Sequence, residues 1–233
     1  GLKVPISDHR ISPPQTGELS RFVASARVGG MLGNKPGIVH AHVGEGGEGL
    51  EPIFSLLQKT EIPPAQFHPT HLSRNRSLLD QGIRLLRKGG YIDLTAPGEY
   101  SGLVEKIGSL ITYLLEEHGD LSRVTLSSDG NGSAPEFDEE GNLMSLSQGR
   151  VSVLHDSLRE LVQNDVLKLE SALSLLTVNP AKRLGLEERK GRIEEGRDAD
   201  LLVLDPNLMI RQVYAKGRTL VDEGEPVIKG EYE

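Results

Sequence analysis

Apolar and polar positions divide the first 128 residues into alternating short and long segments. Five short segments are apolar or alternate with a period of two, which predicts β-strands at residues 2–7, 37–43, 66–72, 91–94 and 124–128. The longer segments show helical spacing of apolar residues and predict helices at residues 16–30, 50–57, 74–88 and 101–117. Strands that alternate with helices indicate an α/β fold with a parallel sheet and helical crossovers.

Five such units could form an open doubly wound sheet, although no Gly-rich phosphate-binding loop follows the first strand. They are too few to close an α/β barrel, which needs eight strands.

The pattern changes after residue 128. Residues 131–148 are polar and acidic, and they are interpreted as a long loop of the kind that is often functional in a compact domain. Three further helices are predicted at residues 151–164, 169–177 and 179–185, and short strands with hairpin turns at 199–206, 210–214 and 218–221. So short a set of strands cannot bury a core alone, and we expect it to pack on another segment.

Composition excludes several classes of protein. The length of 233 residues suits one large domain, or one domain with a small second one. The absence of Cys excludes disulfides and thiolate metal sites. A net charge of -8 argues against a nucleic-acid partner, and no apolar run is long enough to predict a membrane span. Without a recognisable signal peptide, a cytoplasmic location is expected.

Four side chains that can bind metals or protons lie at or near the ends of predicted strands: Lys3, His42, His71 and Asp129. Catalytic groups of α/β barrels come from the carboxyl ends of the strands. Taken alone, Asp129 is more typical of a turn or a helix cap. The order Lys, His, His, Asp is instead typical of metal hydrolases. His40 and His68 lie on the same strands, and the pattern alone leaves the choice of ligand within each pair open.

Several motifs resemble those of isoaspartyl dipeptidases, which belong to the amidohydrolase superfamily. They are Lys3–Arg10, Arg27–Gly33, His42–Glu45, Pro69–Asn75 and Ser127–Ser133, while Asp198–Val203 is typical of the small β-domain of the superfamily. The resemblance covers nearly the whole chain but only the C-terminal portion of the family's length.

The resemblance implies strands 4 to 8 of a (β/α)8 TIM barrel, with their helices, at residues 1–188. Residues 189–233 are then the C-terminal part of a small β-sandwich domain. The first three strands of the family, including a His-x-His motif that binds one metal, have no counterpart here. Activity is therefore expected to need the missing N-terminal segment, and a fragment that is inactive by itself is the alternative.

The resemblance also implies a pair of divalent metal ions, with zinc expected. Lys3 resembles the lysine that CO2 carboxylates so that it bridges both metals. His42 and His71 resemble the ligands of the second metal, and Asp129 resembles the aspartate that binds the first metal and transfers a proton. By the same resemblance, His40 and His68 are interpreted as structural, with His40 one layer deeper than His42. The implied reaction is hydrolysis of the β-aspartyl isopeptide bond by a metal-bridging hydroxide.

The resemblance assigns substrate binding to Arg10, Arg74 and Ser133. An arginine after a strand is more often part of a surface salt bridge. However, a β-aspartyl dipeptide carries two carboxylates, and its entry into an acidic protein requires local cations such as the planar arginine fork. A dihydroorotase-like hydrolase of cyclic amides is the alternative enzyme. A homo-oligomer is expected, without nucleic-acid or membrane partners.

Overall fold

The computed structural model describes residues 1–8, 12, 14–44, 46–96, 107–138 and 142–228, with the side chains of residues 133–137 left out. Strands in these ranges are β1 Leu2–Ile6, β2 Val39–Val43, β3 Ile92–Thr95, β4 Val124–Ser127, β5 Ser133–Phe137, β6 Leu143–Gln148, β7 Leu201–Leu204, β8 Ile210–Ala215, β9 Arg218–Asp222 and β10 Glu225–Pro226. Helices are α1 Thr16–Leu32, α2 Glu51–Lys59, α3 Arg76–Arg87, α4 Ile107–Glu117, α5 Val153–Gln163, α6 Leu169–Leu176 and α7 Val178–Leu184. Short 3-10 helices cover Pro64–Gln66 and Leu72–Arg74.

Parallel pairing runs in chain order through the first half of the protein. β1 pairs with β2, and Lys3 lies opposite His40 in the register. β3 pairs with β4 in the same way, with Asp93 opposite Thr125. The intervening residues 67–71, called the 67–71 segment below, accept the amide of Asp93 at 2.9 Å on one side and donate to β2 on the other. The parallel order expected from the alternating pattern is therefore confirmed.

The prediction of a regular strand at residues 66–72 is wrong. Only isolated bridges, Val39 to Phe67 and His42 to Thr70, join this stretch to β2. Pro69 lacks an amide hydrogen and cannot complete a ladder. A left-handed conformation at His71, with φ of 68°, then ends the extended backbone. The segment is strand-like but short, and it delivers His71 to the end of the sheet.

Helix α3 shows how the apolar pattern becomes packing. Its buried side chains are Leu78, Leu79, Ile83, Leu85 and Leu86, on the face predicted from their spacing. Full burial of one such side chain contributes roughly 1.5–3 kcal/mol. The Asn75 side chain caps the helix by accepting the amide of Leu78 at 2.9 Å, which typically stabilises by about 1 kcal/mol. This cap fixes the polypeptide just after the 67–71 segment.

Residues 131–148 do not form the loop predicted from their polarity. They contain an antiparallel hairpin in which Ser133 of β5 pairs with Gln148 of β6. Most of the β6 side chains are exposed, so the strand has no buried face. The main-chain ladder holds the hairpin, and such a ladder leaves no alternation in the sequence.

The C-terminal strands form an antiparallel sheet in the order β10-β9-β8-β7, which confirms the predicted short strands and hairpins. The sheet contacts the preceding helices where His155 of α5 lies 2.6 Å from the carbonyl oxygen of Leu208. The domain boundary at residues 188 and 189 stays a prediction. None of the helices in the described ranges combines the length and apolar character needed to cross a membrane.

Candidate metal-binding site

Two of the predicted ligands meet at the carboxyl ends of neighbouring strands. The Nδ1 atom of His42 lies 2.9 Å from Nε2 of His71, and the ring centroids are 4.2 Å apart. His42 is on β2, and the left-handed conformation of His71 turns the chain into the following 3-10 helix. Because the two strands are parallel and adjacent, their last side chains converge on one point above the sheet.

Residues of β3 and the 3-10 helix hold the His71 ring in place. The Nδ1 atom of His71 lies 2.8 Å from Oγ1 of Thr95. Ser73 in turn donates its hydroxyl to the Thr95 carbonyl at 3.1 Å and accepts the Thr95 amide at 3.1 Å. A histidine that binds a metal commonly uses its second ring nitrogen in this way. Sequence analysis did not identify Thr95 or Ser73. A Thr at the end of an apolar strand was a signal for Thr95.

The chemistry of these two imidazoles fits a divalent metal such as zinc. Burial, followed by the nearby His42 and Arg74, lowers the pKa of His71 to about 3. The ring is therefore neutral at pH 7, which is the form that binds metals. Among the described residues, no group of three or more His, Cys, Asp or Glu side chains is arranged to hold an ion. The structure thus brings two predicted ligands together, while the complete ligand set stays a prediction.

Lys3 lies deeper along the sheet than the His42 and His71 pair. It is opposite His40 in the register, two residues before the position opposite His42. Its positive charge contributes to lowering the pKa of both His40 and His71, after the larger effect of burial. Lys3 is therefore in the electrostatic environment of the candidate site, and its role as a bridging ligand stays a prediction.

Asp129 follows β4 in the left-handed region, with φ of 48°. Its side chain is exposed, and its carbonyl accepts the amide of Gly132 at 3.0 Å. A Cβ added to Gly132 or Gly149 would lie 2.8 or 2.7 Å from that carbonyl oxygen, so only glycine fits at either position. These close contacts explain the Asp-Gly-Asn-Gly composition of the loop. Burial lowers the pKa of His40 and the charge of Lys3 adds to this effect, while the charge of Asp129 acts to raise it. The Asp129 carboxylate is therefore within electrostatic range of His40.

Of the three predicted substrate-binding residues, the structure describes the side chain of Arg74 alone. Arg74 is half-buried, and its Nη1 donates to the carbonyl of Val43 at 3.0 Å, directly beside His42. Ser133 begins β5, but its side chain is not among those described. Arg10 lies outside the described residues.

His40 and His68 form a layer beneath the candidate site. Their ring centroids are 5.6 Å apart, and Nε2 of the buried His68 lies 3.0 Å from Oγ1 of Thr125. This arrangement agrees with the interpretation of His68 as structural. Burial is the largest cause that lowers the pKa of His68, to about 3, and Arg183 adds to the effect.

His68→Gln is expected to flatten the pH dependence of stability. Because burial depresses the pKa of His68 in the folded state, its contribution is complete above the unfolded pKa near 6.5 and is lost as pH falls towards 3. Between about pH 6.5 and 4.5, the wild-type free energy of unfolding should fall by about 2–3 kcal/mol relative to the variant. Urea denaturation across this range measures the difference, with His118→Gln as the control. Parallel curves for wild type and His68→Gln would contradict the prediction.

The amidohydrolase family model matches residues 65–220 of this chain. The match covers more than half of the 233 residues, so the chain belongs to the amidohydrolase family. This finding confirms the superfamily resemblance inferred from the motifs and implies a TIM-barrel-type fold.

Several individual proteins and solved structures are similar to this chain. A β-aspartyl dipeptidase of Fervidobacterium islandicum AW-1, solved with the dipeptide β-Asp-Leu, is 40% identical with a TM-score of 0.88 over 97% of this chain and 59% of that chain. N-acetylglucosamine-6-phosphate deacetylase of Bos taurus is 38% identical over 80 residues, which are 34% of this chain and 20% of that protein. An adenosine deaminase of Xanthomonas campestris with bound zinc shares the fold, at 14% identity and a TM-score of 0.59 over 94% of this chain and 52% of that chain. The chain thus spans about three fifths of the length of the dipeptidase and about a fifth of the deacetylase.

Proposed function

We propose that the protein hydrolyses the β-aspartyl bond of isoaspartyl dipeptides in a metal-dependent reaction. The observation that carries the proposal is the position of Arg74, whose guanidinium is anchored beside the paired His42 and His71. A β-aspartyl dipeptide contains both an amide bond and carboxylates. A cation next to a candidate metal site suits such a substrate, because the cation can bind a carboxylate while the metal site faces the amide. The 40% identity with a dipeptidase solved with β-Asp-Leu supports the same substrate class.

His42 and His71 would hold one divalent ion, for which zinc is proposed. Carboxylated Lys3 and Asp129 are the further ligands proposed for a metal pair. When bound, the metal supplies Lewis-acid polarisation of a carbonyl and lowers the pKa of a water molecule. Thr95 contributes by fixing the orientation of the His71 ring, so that Nε2 faces His42 rather than β3.

Asp129 is the proposed general base and acid. Its exposed carboxylate, at the mouth of β4, can accept a proton from the attacking water and deliver it to the departing amine. The left-handed conformation at Asp129 ends the extended backbone of β4. Because the glycines around its carbonyl allow close approach, this turn is held without bulky side chains that would obstruct the substrate.

Arg74 is proposed to bind a substrate carboxylate, together with Arg10 and Ser133. The bond from Arg74 to the Val43 carbonyl holds the guanidinium over the end of β2. A planar fork at this place can recognise a carboxylate while the neighbouring His42 and His71 face the amide. In a protein with a net charge of -8, such a local cation offsets the repulsion of an anionic substrate.

Arg74→Met tests the proposal in the full-length protein. We expect kcat/KM for β-Asp-Leu to fall about 10- to 1,000-fold, because charge-assisted hydrogen bonds are worth roughly 1.5–3 kcal/mol each. Zinc content should stay near that of the wild type, because Arg74 is not one of the proposed metal ligands and its guanidinium is held by the Val43 carbonyl.

Arg87→Met is the matched control, since Arg87 is exposed and paired with Glu117 on the outer surface. It should leave kcat/KM unchanged. Full activity in Arg74→Met, or equal hydrolysis of β-Asp-Leu and α-Asp-Leu by the wild type, would refute the substrate assignment. Faster hydrolysis of dihydroorotate than of β-Asp-Leu would favour the cyclic-amide alternative.

A further inference from the structure

Asp93, in the middle of β3, is a buried carboxylate that the proposed reaction does not use. Only 3% of its surface is exposed. Three hydroxyls donate to it: Thr70 at 2.6 Å and Ser127 at 2.6 Å to Oδ2, and Thr125 at 2.5 Å to Oδ1. Thr70 belongs to the 67–71 segment on one side of β3, while Thr125 and Ser127 belong to β4 on the other side. Hydrogen bonds to one carboxylate therefore link β3 to the 67–71 segment on one side and to β4 on the other.

The residues that donate hydrogen bonds to Asp93 lie close in sequence to the predicted ligands His71 and Asp129. Thr70 immediately precedes His71, and Ser127 lies two residues before Asp129. Both hydroxyls donate to the same oxygen, Oδ2. Hydrogen bonds to a single carboxylate oxygen therefore link the 67–71 segment, which carries His71, to β4, which precedes Asp129.

The second carboxylate oxygen extends the network beneath the site. Thr125, which donates to Oδ1, also lies 3.0 Å from Nε2 of His68. His68 packs edge-on against His40, and His40 lies opposite Lys3 in the register of β1 and β2. The layer centred on Asp93 thereby reaches every strand that carries a predicted ligand.

A buried carboxylate that joins strands carries a desolvation penalty, so stability alone does not account for its presence. Burial raises the pKa of Asp93 to about 6, even though the hydroxyls of Ser127, Thr125 and Thr70 act to lower it. Replacing such a buried polar group by apolar side chains of similar shape can be neutral for stability or even favourable. Hydrogen bonds, unlike apolar contacts, fix distance and direction. These properties suit a group that positions its neighbours.

We propose that Asp93 is a positioning residue that sets the separation of His71 and Asp129 through its bonds to Thr70, Thr125 and Ser127. This inference rests on the proposed function, because it concerns the same site. In this proposal Asp93 is not itself a ligand, and it acts through the hydroxyls of Thr70, Thr125 and Ser127.

Asp93→Asn is the direct test, since the side chain keeps its size. One carboxylate oxygen becomes an NH2 group that cannot accept a hydrogen bond, so at least one of the three hydroxyls loses its acceptor. We expect zinc affinity, measured by competition with a chromogenic chelator, to weaken about 10- to 100-fold. The kcat for β-Asp-Leu should fall in parallel, while KM stays near the wild-type value because Arg74 is anchored on β2.

Asn179→Ala is the matched control for stability. Asn179 is 4% exposed, and its side chain donates to the carbonyls of Leu121 and Val124, both at 2.8 Å. It therefore anchors the opposite end of β4 by buried hydrogen bonds. The control should lower the melting temperature and leave zinc affinity and kcat near wild type.

Three outcomes would overturn the inference. Zinc affinity could stay at the wild-type value in Asp93→Asn, or it could fall equally in Asn179→Ala for the same loss of melting temperature. If Asp93→Asn does not fold, Ser127→Ala removes one half-buried hydroxyl from Oδ2, and unchanged zinc affinity in that variant would also overturn it. A wild-type protein that binds zinc without hydrolysing β-Asp-Leu would instead contradict the proposed function and leave the zinc test of Asp93 intact.

Discussion

Replacing His71 by Ala is expected to weaken zinc binding by more than about 100-fold, since altering the outer partners of a ligand alone typically costs 10- to 100-fold. The hydrolysis of β-Asp-Leu should fall with the metal content. His71 is 3% exposed and contacts His42 and Thr95 through its two ring nitrogens. Removing the ring therefore removes a proposed ligand and also the contacts to His42 and Thr95.

The measurement is zinc stoichiometry after dialysis against a weak chelator, together with kcat/KM. His155→Ala is the control, because His155 makes a comparable contact, 2.6 Å to the Leu208 carbonyl, far along the chain from the predicted ligands. Both variants should lose some stability, and only His71→Ala should lose zinc. Retention of stoichiometric zinc by a folded His71→Ala protein would show that the metal binds elsewhere.

The parallel sheet could be predicted from the sequence because buried strands and amphipathic helices differ in period. The α3 pattern of leucines and Ile83 appears in the structure as a buried face, and β1 to β4 lie close to their predicted positions. The predictions were less accurate for segments whose structure depends on main-chain geometry and hydrogen bonds rather than on side-chain burial. The 67–71 segment is interrupted by Pro69, and the β5–β6 hairpin is held by main-chain bonds with little burial.

The candidate site could be predicted in part from motifs. The sequence placed His42 and His71 at strand ends, and their contact at 2.9 Å follows from the parallel order of the strands. Thr95 and Asp93 could not be identified in this way. Both are polar residues of the short strand β3, and their roles depend on partners 22 to 34 residues away in the chain. Such contacts are set by strand register, which motifs do not encode.

The sequence also could not distinguish the two levels of histidines by pattern alone. His40 and His42 alternate on one face of β2, and both neighbour a histidine of the 67–71 segment. The structure separates the pairs by their partners, because His71 contacts Thr95 near the end of β3 and His68 contacts Thr125 deeper in β4. The upper pair lies at the strand ends, and the lower pair is part of the layer centred on Asp93.

The Asp129→Asn variant is expected to keep its fold and zinc at the His42 and His71 pair and to lose about 100- to 10,000-fold in kcat for β-Asp-Leu. The amide has the size of the carboxylate, and both Asp and Asn tolerate the left-handed backbone found at this position. The amide oxygen can still contact a cation, but it cannot take up and return a proton. The expected loss is therefore one of proton transfer.

Asp165→Asn is the matched control for Asp129→Asn. Asp165 is also exposed and left-handed, with φ of 55° against 48° for Asp129, but it follows α5 outside the candidate site. It should retain wild-type kcat and melting temperature. The measurements are kcat for β-Asp-Leu across pH, zinc stoichiometry and the melting temperature of both variants. A kcat within about threefold of wild type in Asp129→Asn is too small a loss for a general base, and proton transfer would then have to be assigned to another group.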